Sequence, residues 1–488
     1  MADDNASAEQ AEEKAGYNTW RAALLAGVAA LGGFLFGFDT AVINGAVDAL
    51  ADDFALGALL KGFSVSTALL GAAAGAFLAG RIADRIGRTR VMVLAAALFL
   101  VSAIGTAFSF GPADLIVWRI VGGLGVGAAS VIAPAYIAEI APAPIRGRLG
   151  SLFQMAIVSG ILIALASDLA IAGLAGSAGE EWIFGISAWR WMFLVEVIPA
   201  AAFGILALTI PESPRYLIAN DREDEARDVL GQVLKGGLSQ RIAEIHRTVR
   251  QEKKSSFSDL RKSGSFFLPV VWVGLSLALL QQLVGINVIF YYSTTLWQSV
   301  GFNADNALLY SVVTGVVNVA VTIVAILLID KVGRRRLLLV GSVGMALSLG
   351  TLAVVFGTAA VNDAGEPALT DASGLIALVA ANLFVVFFGV SWGPVMWVML
   401  GEMFNNTIRA AAIGLAGTVN WLANFFVSTT FPTFSDRLGL GFTYGFYTFF
   451  AGLSFFFVLR FVDETNGKEL EDMTDDSRSR QPREPART

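Results

Sequence analysis

Apolar residues in this chain come in blocks about 20 residues long, separated by short polar stretches. A helix rising 1.5 Å per residue needs about that length to cross the ~30 Å hydrocarbon core of a bilayer. Inside that core every backbone N–H and C=O must be satisfied within the segment, so the blocks are read as membrane-spanning helices. Twelve are expected, near 20–45, 61–83, 91–109, 114–138, 149–174, 189–210, 266–295, 307–330, 336–358, 374–402, 409–432 and 440–462. Charged residues make up 15% of the 488, against about 25% in soluble domains, and most fall between the blocks. Gly (51) and Phe (35) suit a bundle in which some helices approach closely and others face lipid. There is no Cys, and the single His246 lies in a polar stretch. Disulfide frameworks and thiolate chemistry are therefore excluded. No metal-ligand cluster and no nucleophile–base pair is visible, so neither a cofactor nor enzymatic chemistry is expected.

Residues 1–19 are polar and acidic, unlike a cleavable signal peptide, so the first block is expected to stay in the membrane. Orientation follows the Lys/Arg bias of short loops. Arg81, Arg85, Arg88 and Arg90 fall between the second and third spans. Arg146 and Arg148 lie between the fourth and fifth, and Lys331 with Arg334, Arg335 and Arg336 between the eighth and ninth. The alternate loops carry Asp48, Asp52, Asp53, Glu180, Glu181, Asp363, Glu366 and Asp371. The basic loops, and with them both termini, are expected in the cytoplasm, with the plasma membrane as host. The expected organisation is a tail at 1–19, six helices at 20–210, a cytoplasmic linker with short helices at 211–265, six more helices at 266–462, and a tail at 463–488.

The chain repeats itself. Asp84-Arg85-Ile86-Gly87-Arg88-Thr89-Arg90 returns 246 residues later as Asp330-Lys331-Val332-Gly333-Arg334-Arg335-Arg336. Glu139 precedes Arg146 by seven residues, and Glu402 precedes Arg409 by the same interval. Pro211-Glu212-Ser213-Pro214-Arg215 closes the first half much as Asp463-Glu464-Thr465-Asn466-Gly467-Lys468 closes the second. Three marker pairs at nearly one spacing imply two homologous six-helix halves, which in membrane proteins flank a midplane site.

These markers resemble the sugar porters of the major facilitator superfamily. So do Pro134-x-Tyr136-x-x-Glu139-x-x-Pro142-x-x-x-Arg146-Gly147 and Gln281-Gln282-x-x-Gly285-x-Asn287-x-x-x-Tyr291-Tyr292, and the likeness extends over about 20–470. It departs at Asp463, where the family usually has Pro. The resemblance implies an all-α membrane fold of twelve helices carrying a monosaccharide across a bilayer. It also implies an acidic–basic loop network that holds the inner gate: Asp84, Arg85, Arg88, Glu139 and Arg146, with Asp330, Arg334, Glu402 and Arg409.

An uncharged sugar needs hydroxyl partners and flat apolar faces, which amides and aromatic rings supply. The few amides inside the spans include Gln154, Gln281, Gln282, Asn287, Asn318, Asn420 and Asn424. Each could equally be an interhelical hydrogen bond. The resemblance points Gln154, Gln281, Gln282, Asn287, Asn318 and Asn420 towards sugar, together with Phe36, Trp392 and Trp421, and leaves Asn424 open. Trp397 is a further gate candidate. Gly393-Pro394 interrupts the tenth span, as happens where backbone lines a cavity.

Asp39 stands mid-span in an apolar helix, where a carboxylate is costly and marks function. Arg119 is its natural partner and Glu196 a competitor for it. Proton-coupled members of the resembled family have Asp at this position, and facilitators commonly have Asn. The reading is a proton-coupled symporter working as a monomer, with sugar, protons and the bilayer as partners and no nucleic acid. A proton-independent facilitator, with Asp39–Arg119 as a permanent structural pair, is the alternative. A non-transporting receptor is a third reading, against which the short tail argues.

Overall fold

The computed structural model describes residues 16–251, 260, 266–361, 367–404 and 408–465. Among these the chain is helical, apart from a two-residue ribbon pairing Ala360–Val361 with Pro367–Ala368. The first span runs through Thr19–Ala41 and Ile43–Asp53, and the second to fifth are Ala58–Ile86, Arg88–Ala107, Pro112–Ile140 and Arg146–Ala175. Ala188–Val195 and Val197–Thr209 form the sixth span, and Pro269–Leu283 and Ile286–Gln298 the seventh. Ala304–Val332 and Arg334–Gly357 are the eighth and ninth, and Asp371–Val390 with Trp392–Met403 the tenth. The last helix, Arg409–Phe461, is broken at Gly439 (φ 81°, ψ 159°) into the eleventh and twelfth. Several spans run past the expected boundaries. A helix of 29 residues is about 44 Å long, which covers the headgroup layers as well as the hydrocarbon.

Between the sixth and seventh spans, Pro214–Ala219, Glu223–Val233 and Leu238–Gln251 form short helices. They are stitched to the start of the first span. Asn18 N–H donates to Val233 O at 2.7 Å, and the Arg21 guanidinium to Gln232 Oε1 at 2.8 and 3.1 Å.

Small residues bring the spans together. A Cβ on Gly37 would stand 1.9 Å from Ile157 O of the fifth span, and one on Gly123 2.0 Å from Ala68 O of the second. Such contacts let backbones touch where lipid offers no hydrophobic drive for helices to associate.

The repeat survives at the level of bonds. Gly87 and Gly333 both hold positive φ, 102° and 93°, at the sharp turn between paired spans. Glu212 accepts from Arg88 N (2.9 Å), Thr89 N (3.2 Å) and Thr89 Oγ1 (2.7 Å). Glu464 accepts from Arg334 N (2.8 Å) and Arg335 N (3.1 Å). A carboxylate thus caps the helix N-terminus that follows each glycine, where exposed N–H groups and the helix dipole favour negative charge. The second clamp forms although Asp463 replaces the customary Pro.

The loop charges assemble around these clamps. Glu139 takes Arg88 Nε at 3.1 Å, the Ser213 hydroxyl, and Arg215 Nε at 3.9 Å, while exposed Asp84 pairs with Arg88 at 3.4 Å. In the second half Glu402 takes Arg334 Nη2 at 2.9 Å and the Thr465 hydroxyl. Arg409 Nε donates to Phe404 O at 3.1 Å. Every one of these pairs lies inside one half. Arg85 is exposed and makes no side-chain bond among the described residues, and Arg146 is half-buried at the start of the fifth span. The side chain of Asp330 lies outside the described set.

Candidate functional site

The seventh span breaks at Gly285 (φ 79°, ψ 23°), between helices ending at Leu283 and starting at Ile286. The break swings Asn287 back towards the preceding turn, so its Nδ2 donates to Gln282 Oε1 at 2.7 Å. From there the amides run on as a chain. Gln282 Nε2 donates to Asn420 Oδ1 (3.1 Å), and Asn420 Nδ2 to Gln281 Oε1 (2.7 Å) and Ala278 O (3.0 Å). Gln281 Nε2 reaches Trp392 O at 2.8 Å. That carbonyl lies in the first turn of the helix that starts after the tenth span breaks at Ser391 (φ −122°, ψ −90°). Four of the six amides singled out in the sequence are thus wired together, from the seventh and eleventh spans, and tied to a backbone carbonyl of the tenth.

The remaining candidates fall at its edges. Trp392 contributes its carbonyl, while its fully buried indole points away, donating to Leu338 O (3.2 Å) and Ser342 Oγ (3.0 Å) of the ninth span. Trp421, one residue past Asn420, meets Phe36 of the first half with ring centroids 5.7 Å apart. Asn318 is buried in the eighth span, and Gln154 is exposed on the fifth without a side-chain bond among the described residues. Asn424, left open by the sequence, donates to Tyr291 OH at 3.4 Å and accepts from Ser428 at 3.0 Å. Trp397 is 43% exposed.

On the first half, Arg119 Nη1 meets Asp39 Oδ1 at 3.0 Å, and both side chains are 2% exposed. Glu196 is buried beside them, with Oε1 unpartnered, and the Arg119 guanidinium lies 5.8 Å over the Phe193 ring. Arg119 and Tyr291 line one small void with Thr40, which places the ion pair next to the second half.

Two features had escaped the sequence reading. The first is a latch between halves at the end of the bundle away from the termini. Asn44 Nδ2 donates to Phe290 O (2.9 Å) and Ser293 Oγ (2.8 Å), while Asn44 Oδ1 accepts from Thr294 N (3.1 Å) and the Thr294 hydroxyl. One turn on, Asp48 holds Lys61 and accepts from Thr295 at 2.9 Å. Ser66 meets Thr429 at 2.6 Å nearby. The second is Asp168, fully buried in the fifth span, which accepts from Gly45 N at 3.2 Å. An Asp inside an apolar run was visible in the sequence, but no basic residue at a fitting spacing drew attention to it.

Twelve spans in two duplicate halves, with polar side chains buried where the halves meet, make this a membrane transporter. The family is fixed by comparison. Residues 25–476 match the model of the sugar (and other) transporter family, and the chain belongs to it. It is 58% identical over 451 residues to the glucose transport protein of Synechocystis sp., covering 92% of this chain and 96% of that one. To the D-xylose-proton symporter of Escherichia coli it is 38% identical over 483 residues, covering 91% and 94%. Its fold matches the partially occluded inward open conformation of the E. coli xylose transporter XylE with a TM-score of 0.79 at 35% identity. That match covers 92% of this chain and 100% of the other.

Proposed function

We propose that the protein is a plasma-membrane symporter that couples proton entry to uptake of a hexose or pentose by alternating access, with both termini in the cytoplasm. The observation that carries this reading is the buried Asp39–Arg119 pair, with Glu196 beside it, three residues along the first span from Phe36 at the sugar-type cluster. The names of the relatives support both a glucose and a xylose substrate. The domain limits expected above are kept: two six-helix halves joined by a cytoplasmic linker.

With the termini inside, the latched end faces outward, and this conformer is closed to the exterior. The amide chain of Gln281, Gln282, Asn287 and Asn420 presents donors and acceptors that hydroxyls can replace bond for bond. Gln154 of the fifth span and Asn318 of the eighth are assigned to the same sugar, with Phe36 and Trp421 over the ring's apolar face. Trp392 holds the hinge of the tenth span. A proton on Asp39 removes its attraction for Arg119, and Glu196 offers the guanidinium a second carboxylate. Sugar and proton together then favour closure of the outer seam, and the pair re-forms when the proton leaves inside. Coupling follows because each ligand favours the same state. The clamps built on Asp84, Arg88, Glu139, Arg334 and Glu402 keep the inner ends of paired spans rigid as the halves rock, and Arg85, Arg146, Asp330 and Arg409 are assigned to the same inner gate. One chain holds the whole site, so a monomer suffices.

The test is uptake of glucose, xylose and galactose into proteoliposomes with and without an inward proton gradient. Accumulation above the outside level only with the gradient is the expected result. Equilibration regardless of the gradient would instead make the protein a facilitator, with Asp39–Arg119 a permanent structural pair.

A further inference from the structure

The carboxyl group of Asp168 takes no part in the scheme above, yet it is buried as deeply as Asp39. Oδ2 accepts the Gly45 N–H, and Oδ1 has no hydrogen-bond partner among the described residues. The approach is tight: a Cβ on residue 45 would stand 2.6 Å from that of Asp168. Among the described residues no cation pairs with it. Of the charged groups on the elements packed against the fifth span, Asp39 is engaged with Arg119 of the fourth span, and Asp48 with Lys61. Arg190 of the sixth is engaged with Asp53 and the carbonyls of Ala107 and Ser109. Glu196 stands with the Asp39–Arg119 pair, and the eighth span has no acidic or basic residue between Asp305 and Asp330.

The position of Asp168 gives the burial a use. Gly45 follows Asn44, the centre of the outer latch. Leu165, one turn before Asp168 on the same face, packs where a Cβ on Gly315 of the eighth span would touch it at 3.3 Å. Asp168 therefore lies behind the seam that parts when the outer side opens. Stripped of water and without a cation, an ionised carboxylate is strongly unfavourable inside a bilayer.

We infer that Asp168 is a second protonation site, loaded from the external solution while the outer seam is open and required to be neutral before that seam closes. The step adds one proton from external water to the carboxylate, and reopening returns it. Because the group stays sealed while the transport site faces inward, its proton goes back to the side it came from and is not carried. Asp168 is thus an external-pH control on closure, separate from the coupling proton on Asp39. This inference rests on the alternating-access reading.

Inward sugar counterflow in proteoliposomes, with external pH varied and internal pH held, tests it. A closing step that needs two external protons slows roughly a hundredfold per pH unit when both sites are ionised, and a one-proton step roughly tenfold. Wild type is expected to show the steep alkaline limb and Asp168→Asn the shallow one. The variant should also be faster than wild type at alkaline external pH, with an unchanged final accumulation ratio under a fixed proton gradient. Equal limbs would overturn the inference. A lower accumulation ratio in the variant would overturn it too, because the proton would then be transported. Absence of counterflow in wild type with every sugar would sink the transport reading instead. Asp168→Ser, smaller and also neutral, carries the same expectations should Asp168→Asn fail to fold.

Discussion

Replacing Asn44 with Ala should tip the protein towards its outward-open form. The amide makes four hydrogen bonds across the two halves, to Phe290 O, Ser293 Oγ, Thr294 N and the Thr294 hydroxyl, all buried. A buried hydrogen bond contributes about 0.5–1.5 kcal/mol net, and four lost together come to about 2–4 kcal/mol once some relaxation is allowed. The loss falls on the outer-closed state alone, because the partners separate when the seam opens and water takes their place. At about 1.4 kcal/mol per factor of ten, the outer-closed to outer-open ratio should fall about 30- to 1,000-fold. The chain has no Cys, so a single cysteine at Ala46, buried behind the latch, reports opening on an otherwise unreactive background. Maleimide labelling from outside should speed up in Asn44→Ala roughly in proportion to the shift. Equal labelling rates with and without Asn44 would refute the argument that these bonds hold the seam.

Other substitutions probe the remaining parts. Asp39→Asn should abolish gradient-driven accumulation and leave equilibration; one charge is worth ~2.3 kcal/mol per 100 mV, or about fiftyfold in sugar ratio, and an imposed potential across proteoliposomes measures it. Arg119→Met leaves Asp39 buried without its cation, a loss of about 3–5 kcal/mol, readable as a clear drop in melting temperature that Asp39→Asn on the same chain partly restores. Gln281→Ala removes bonds to both Trp392 O and Asn420, and should raise the half-saturating sugar concentration about 5- to 150-fold in concentration-dependent uptake, for about 1–3 kcal/mol. Gly37→Ala drives a methyl into Ile157 O and should separate the first and fifth spans, giving little folded protein by fluorescence-detected size exclusion.

How much of this could be read in the sequence depends on whether the signal was local. Span number and order were legible because each apolar block carries its own length. The amide chain was legible in part: Gln281, Gln282 and Asn287 sit together, and Gly285 announces the break that turns Asn287 back. Contacts between distant spans were not. Nothing in residue spacing pairs Phe36 with Trp421, or Asn44 with Thr294, 250 positions apart. The direction of the Trp392 indole was equally hidden, since it is set by Ser342 on another helix. The loop charges were seen, but their grouping within each half rather than between halves depends on how the turns at Gly87 and Gly333 fold.

The stitching of the linker to the first span has a bearing on how the polypeptide is made. Asn18, Arg21, Val233 and Gln232 tie the segment up to Gln251 to the first half, and each Glu clamp closes on residues of its own half. A gene split between the codons for Gln251 and Pro269 would therefore give two fragments, each holding its own clamps. Coexpressed, they should reunite in the bilayer. The peptide link between them then serves chiefly to keep one fragment at high local concentration near the other.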